Sequence, residues 1–282
     1  MIIFRSYLEL IRFNRPIGTL LLLWSTLSAL VIASQGMPNI KIMIIFILGV
    51  FLTRASGCIV NDLADKKFDF YVKRTQNRPL VSGALSVKQA VYFFVILIFC
   101  CLFLVLQLNI TTILLSFVAL FLMILYPYTK RFFPLPQLFL GLAWSWSTVM
   151  AFTAVDASIS LICVLLFLAN WFWTVAYDTI YGMVDMDDDV YIGVNSTAVF
   201  FKDNTFYFVL FCQCVTVLIW SIIGYILEYN LFFYGSLCAM VLSFCYQDLL
   251  ITQQKRALYL KAFLSNHWIG LLLLISIIFQ YQ

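Results

Sequence analysis

Charge is scarce in this chain. Only 11% of its 282 residues are Asp, Glu, Lys or Arg, and a single residue is histidine. A soluble domain carries about 25% charged and about 45–50% apolar residues, whereas here 64% are hydrophobic and 18% aromatic. That little polar surface excludes a soluble globular enzyme, a disordered tail and a secreted disulfide scaffold. No CxxC pair occurs among the eight cysteines, which fall almost entirely inside apolar runs. Neither a zinc site nor a redox pair is signalled, and the cysteines read as packing residues. No basic arm of the kind that binds nucleic acid is present. The opening MIIFRSYLELIRFNRPIG has no short apolar core with a small-residue cleavage site and is not rich in Ser and Arg. The expectation is neither a signal peptide nor a transit peptide. What remains is a polytopic membrane protein.

A helix needs about 20 apolar residues to cross the hydrocarbon core. The apolar runs predict nine spans, near 17–35, 41–60, 88–107, 110–126, 137–155, 158–177, 205–226, 229–248 and 262–281. The expected architecture is an all-α integral membrane protein, one domain over 1–282, with two long polar loops at 61–87 and 178–204. With the N-terminus inside, 15 of the 17 basic residues fall on one side; only Lys41 lies opposite, and Arg54 lies within a span. The positive-inside rule then makes the N-terminus and both long loops cytoplasmic. An eight-span chain would put several basic segments on the wrong side. His267 lies in a late span and reads as a packing or interfacial residue.

The acidic residues are concentrated. Of 13, three lie in NDLADKKFD (61–69) and five in DTIYGMVDMDDD (178–189). Each stretch continues the cytoplasmic end of a span. If helical, Asp62, Asp65 and Asp69 share a face, as do Asn61 and Asp65, and so do Asp178, Asp185 and Asp189 with Tyr181 between them. Like charges at this spacing repel, and a divalent cation removes the penalty. Magnesium takes oxygen ligands, one or two carboxylates together with substrate phosphates and water, so two facing acidic stripes suit metal ions bridging a diphosphate. A solvated acidic loop is the competing reading. A calcium-binding EF-hand loop fails, because neither stretch has the central Gly and the Glu at position twelve. A cation channel or transporter would need carboxylates near the bilayer midplane, and here they cluster at one end. Lys66, Lys67, Lys73, Arg74 and Arg78 interleave with and follow the first cluster and read chiefly as orienting or lipid-contacting charges. Arg54 is different: a charge inside a span, two helical turns above Asn61, is a functional candidate by default.

Four blocks in order resemble the UbiA prenyltransferases: RFNRPIGTLLLLW near the start, GCIVNDLADKKFDFYVKRTQNRPLVSG at 57–83, YPYTKRFFPLPQLFLGLAWSW at 126–146 and YDTIYGMVDMDDDVYIGVNST at 177–197. Within that family they are most similar to its bacterial 4-hydroxybenzoate polyprenyltransferase branch. The resemblance implies nine helices around a central cavity with the active site at the cytoplasmic face of the inner membrane. It implies magnesium-dependent transfer of a polyprenyl chain from polyprenyl diphosphate to 4-hydroxybenzoate, a step toward ubiquinone. Dihydroxynaphthoate, homogentisate and haem are the alternative acceptors within the family. Carried over residue by residue, Asn61, Asp62, Asp65 and Asp69 form the first metal–diphosphate group and Asp178, Asp185 and Asp189 the second. Arg15 and Lys130 lie near the diphosphate, Arg54 meets the acceptor's carboxylate, and Asp65, Asp178 and Asp185 are the catalytic set. Tyr126, Trp144, Trp146, Trp171 and Trp173 are candidates to shield an allylic cation. Asn14, Leu63, Phe70 and Gly182 depart from the family pattern without removing a ligand.

Overall fold

A computed structural model of the protein describes residues 2–72 and 74–282, with the backbone alone at Ile2. Lys73, counted above among the orienting charges, lies outside the described residues. Among those residues the regular structure is entirely helical. The helices are α1 (Ile2–Leu10), α2 (Ile17–Ala33), α3 (Ile40–Asp69), α4 (Val87–Val105), α5 (Ile110–Thr129), α6 (Pro136–Asp156), α7 (Leu161–Ile192), α8 (Thr197–Phe201), α9 (Thr205–Ile226), α10 (Leu231–Ile251) and α11 (Arg256–Ile278), with short 3-10 turns at Lys202–Asn204 and Phe279–Tyr281.

Their ends follow from local chemistry. Side-chain oxygens of Asn109, Ser160 and Ser196 accept from backbone amides three residues on, and Ser86 forms a reciprocal capping box with Gln89. These caps satisfy amides that a helix start leaves without partners. Pro136 opens α6 in the first turn, where its missing N–H costs nothing. Gly193 ends α7 in the left-handed region, with φ 71°, as a helix-terminating glycine does.

By length and composition, eight of the described helices are apolar and long enough to cross a membrane. That is one fewer than the nine spans expected. The difference is α2, whose 17 residues make it about 25 Å long, short of the hydrocarbon core of about 30 Å. It begins after Pro16 and stops at Ser34, where Gln35 and Gly36 turn the chain with positive φ. It nevertheless packs inside the bundle against α3, α6 and α11. A second correction concerns the two acidic stretches, expected as loops from 61 and from 178. They are helical: α3 runs on to Asp69 and α7 to Ile192. At 30 and 32 residues these helices are about 45 and 48 Å long, so each extends well past the bilayer core. The charges lie on rigid helical extensions.

The bundle is held in the manner of a membrane protein. Helices α4 and α5 turn Phe99, Phe103, Phe117 and Phe121 outward, a surface suited to lipid. Between helices, hydroxyl and amide groups pair in the interior: Thr26 with Ser147, Asn170 with Thr148, and Trp173 with Asn266. Such bonds link helices where lipid offers no hydrophobic driving force. The largest core cluster joins α2, α6, α7, α9, α10 and α11. It leaves one end of the molecule, where α3, α5 and α7 terminate, to the acidic residues.

Candidate active site

A cavity of about 1170 Å³ opens at this acidic end and descends between the helices. Its mouth is polar and its deeper walls, from α3, α4 and α5, are apolar. Asn61, Asp62, Asp65, Asp69, Asp178, Asp185 and Asp189 all line it, together with Arg15, Arg54, Tyr126 and Lys130. Every charged or amide site residue expected from the sequence therefore borders one space. On α3, Arg54, Cys58, Asn61 and Asp65 follow one another at helical spacing down the cavity wall. Asp178, Tyr181, Asp185 and Asp189 do the same on α7.

The carboxylates do not face one another bare. Lys130, directly after α5, donates from Nζ to Asp65 Oδ2 at 3.0 Å and reaches Asn61 Oδ1 at 3.5 Å. Burial works against its charge, but Asp65, together with Tyr126 and Asp178, outweighs that and holds the ammonium above the ordinary lysine range. Asp62, 1% exposed, receives Arg12 at 2.5 Å and Arg78 at 3.1 Å, and Arg78 also pairs with Asp69 at 2.5 Å. Arg74 crosses from the segment after α3 to α7, where it forks onto both oxygens of Asp185 and donates to the Tyr181 hydroxyl at 2.7 Å. Its guanidinium lies 5.2 Å from the Tyr181 ring centre. Arg131 ties the end of α5 to α3 by donating to the Ala64 carbonyl. The site is thus an alternation of carboxylates and fixed cations, arranged for a highly charged anionic ligand.

Arg12, Arg74 and Arg78 are the residues that sequence reasoning missed. Arg74 and Arg78 were read chiefly as orienting charges, yet they face the acidic rows, while Lys66 and Lys67 are exposed as expected. Their i, i+4 spacing after Asp69 was the available signal. Arg12 gave none, since its partner lies 50 residues away and a positive φ of 59° aims it there. Of the five aromatic candidates, only Tyr126 and Trp144 line the cavity. Trp146, Trp171 and Trp173 do not, because their indole N–H groups are used between helices, on the Leu115 carbonyl, the Leu138 carbonyl and Asn266. Tyr177 and Phe263 stand at the cavity instead.

Arg54 lies deeper. Its guanidinium donates to Cys58 Sγ at 3.0 Å and sits 5.6 Å from the Trp144 ring centre, and its Nε is buried without a partner. Among the described residues no carboxylate forms an ion pair with it.

As to a metal, the donor set is all oxygen, the chemistry magnesium prefers. The buried Oδ2 of Asp62, which borders the cavity, has no partner. Among the described residues no three Asp, Glu, His or Cys side chains converge to hold an ion unaided. That suits magnesium, which is commonly completed by substrate phosphates and water. The residues fit the group.

The model of the UbiA prenyltransferase family matches residues 22–276. The chain belongs to that family. It is a multi-pass membrane prenyltransferase. Relatives named 4-hydroxybenzoate octaprenyltransferase share 47% identity with this UbiA protein in Pasteurella multocida, over 97% of this chain and 94% of the relative, and 46% in Shewanella woodyi, over 96% and 95%. Among solved structures, a UbiA homolog from Aeropyrum pernix K1 superposes with a TM-score of 0.83 at 23% identity, over 94% of this chain and 98% of that one. A UbiA homolog from Archaeoglobus fulgidus, solved bound to GPP and Mg2+, gives 0.75 at 17% over 97% and 99%. Both likenesses establish the UbiA fold for this chain.

Proposed function

We propose that this UbiA protein transfers a polyprenyl chain from polyprenyl diphosphate to the ring carbon ortho to the hydroxyl of 4-hydroxybenzoate. The products are 3-polyprenyl-4-hydroxybenzoate and diphosphate, and the step belongs to ubiquinone biosynthesis. Magnesium is the proposed cofactor, and residues 1–282 act as one catalytic domain in the bacterial inner membrane with the N-terminus and the acidic end cytoplasmic. The observation that carries the acceptor is Arg54. It is a half-buried arginine with an unpartnered Nε and no carboxylate of its own, about 10 Å along α3 from Asn61, in a chain 46–47% identical to relatives of that name over nearly its whole length.

The residues divide the chemistry between them. Asn61, Asp62, Asp65 and Asp69 on one helix and Asp178, Asp185 and Asp189 on the other are the proposed ligands. Magnesium held there supplies positive charge to the diphosphate as it leaves. Arg15 and Lys130 supply further fixed charge at the mouth. The allylic carbon–oxygen bond breaks, and diphosphate departs with the electron pair. Tyr126 and Trp144 present ring faces to the resulting cation, and the apolar walls keep water from it. The activated ring carbon attacks, a carbon–carbon bond forms, and the displaced ring proton passes to Asp178. Arg54 holds the acceptor's carboxylate in a charge-assisted pair, turning the phenol end toward the mouth.

The test is a transfer assay on membranes containing the protein, with labelled prenyl diphosphate and a panel of acceptors, with and without magnesium. Transfer to 4-hydroxybenzoate that stops on chelation is expected. Transfer only to dihydroxynaphthoate, homogentisate or haem would replace the acceptor. A cation pathway has little to support it, because the carboxylates gather at one end and are already tied to arginine and lysine.

A further inference from the structure

We infer that Gly18 is a positioning and specificity-determining residue. The space left by its missing side chain is taken by the Nε–Nη2 edge of Arg54, and this close fit fixes how the guanidinium is presented to the carboxylate of the acceptor. The inference rests on the role proposed for Arg54 and deepens it.

The geometry assigns each side of the Arg54 guanidinium. Nη1 donates to Cys58 Sγ one turn along α3. The planar group lies by Trp144. Nε is buried without a partner. A Cβ built on Gly18 would stand 2.8 Å from Nη2, 2.9 Å from Nε and 3.2 Å from Cζ. The Nε–Nη2 edge is therefore the one packed against the α2 backbone at Gly18, closer than any side chain there allows, and that fit sets the direction in which the guanidinium can make a charge-assisted pair with a carboxylate. Gly18 and Arg54 both line the cavity.

Backbone conformation gives no reason for glycine here. Gly18 is the second residue of α2 and does not have positive φ, and alanine is the better helix former at such a place. What the position requires is space. A methyl group there meets the far end of a flexible side chain, so the guanidinium gives way and the helix does not. The guanidinium would then be displaced while the mouth, two turns away, is untouched. Acid acceptors would lose affinity and the diphosphate donor would not.

The experiment uses the full chain in lipid, as wild type, Gly18→Ala and Gly18→Ser, each also in an Arg54→Ala background. It measures kcat, KM for 4-hydroxybenzoate, KM for prenyl diphosphate, and Tm. Gly18→Ala should raise the acid's KM about tenfold, as the weakening of a charge-assisted pair does. The donor's KM should stay within about twofold, and Tm should equal or exceed that of wild type. In the Arg54→Ala background the same change should move the acid's KM by less than about twofold, because the group it acts through is gone. An unmoved acid KM, equal rises for both substrates, a lowered Tm with general loss, or an undiminished effect without Arg54 would each overturn the inference. If wild type prenylates 4-hydroxybenzoate in that event, the proposed function stands alone. If wild type does not use this acid, the proposed function falls and the inference with it.

Discussion

Asp62 and Asp65 are three residues apart on α3, and their surroundings give them different work. Asp62 is 1% exposed and carries two arginines, whereas Asp65 faces the cavity and carries Lys130. Removing one partner from a buried ion pair leaves uncompensated charge and costs about 3–5 kcal/mol. Asp62→Ala should therefore lose about that much stability in a denaturant titration in detergent, since it strands Arg12 and leaves Arg78 with Asp69 alone. Asp65→Ala and Asp185→Ala break pairs that are more exposed than that of Asp62, so they should cost less stability while abolishing turnover. A stable Asp62→Ala would show that the arginines find other partners. At Arg54 the expected split is between substrates. Arg54→Ala should raise the acid's KM about 10- to 150-fold and the donor's far less, the worth of a charge-assisted contact of about 1.5–3 kcal/mol. Arg54→Lys should restore part of it, since a point charge replaces a fork. Losses of equal size for both substrates would move Arg54 into the leaving-group site. Spacing along one helix made these acids and Arg54 legible in the sequence. Their cationic partners were not, because Arg12 and Arg74 reach across 50 and 111 residues of chain.

Helical extension is the device that places the acidic rows, and α7 shows what holds it. Its last turn carries Asp189 and ends at Gly193, whose amide donates to the Asp189 carbonyl from the left-handed region. Two residues on, the Asn195 amide donates to the Lys130 carbonyl at 3.0 Å, joining the exit of α7 to the end of α5. A side chain at Gly193 would be strained by about 1–2 kcal/mol. Gly193→Ala should fray that turn and raise the magnesium concentration needed for half-maximal transfer, with little change in the acid's KM. If the magnesium dependence does not move, Asp189 is held by something other than its helix. Arg256 also touches this extension, at Asp187 and Asp188, but Arg256 and Asp187 are largely exposed. An exposed pair contributes at most about 1 kcal/mol, so Arg256→Ala should be nearly neutral in Tm. The spans themselves were plain from apolar runs. Hydropathy ends a span where charge begins, whereas the backbone hydrogen bonds run on, so 61–69 and 178–192 looked like loops. The short α2 was overcounted for the opposite reason, since its apolar run extends into a turn.

Across the whole molecule, charge asymmetry and the antiparallel helices support the orientation proposed above. The ends of α3, α5, α7 and α10 meet the starts of α2, α4, α6 and α11 at the acidic end, and 15 of the 17 basic residues belong there. Lysine and arginine near span ends are retained on the cytoplasmic side, which is the side to which the proposed orientation opens the mouth. Exposed reporters exist at both ends: Gln76 and Tyr191 near the mouth, Ser158 in the turn between α6 and α7 opposite it. The exposed native cysteines Cys100, Cys214, Cys238 and Cys245 lie within α4, α9 and α10, where a charged, impermeant thiol reagent does not reach, so the wild-type chain is the blank. Position 75 would be a poor reporter, since Thr75 is buried and bonded to the Asp69 carbonyl. Gln76→Cys and Tyr191→Cys should resist such a reagent added to spheroplasts and react after permeabilisation, while Ser158→Cys reacts at once. Reaction of Gln76→Cys and Tyr191→Cys from outside, with Ser158→Cys protected, would invert the orientation and leave the bundle intact. Reaction of Gln76→Cys and Tyr191→Cys from opposite sides would break the bundle itself, because the two acidic helices could then not share a mouth.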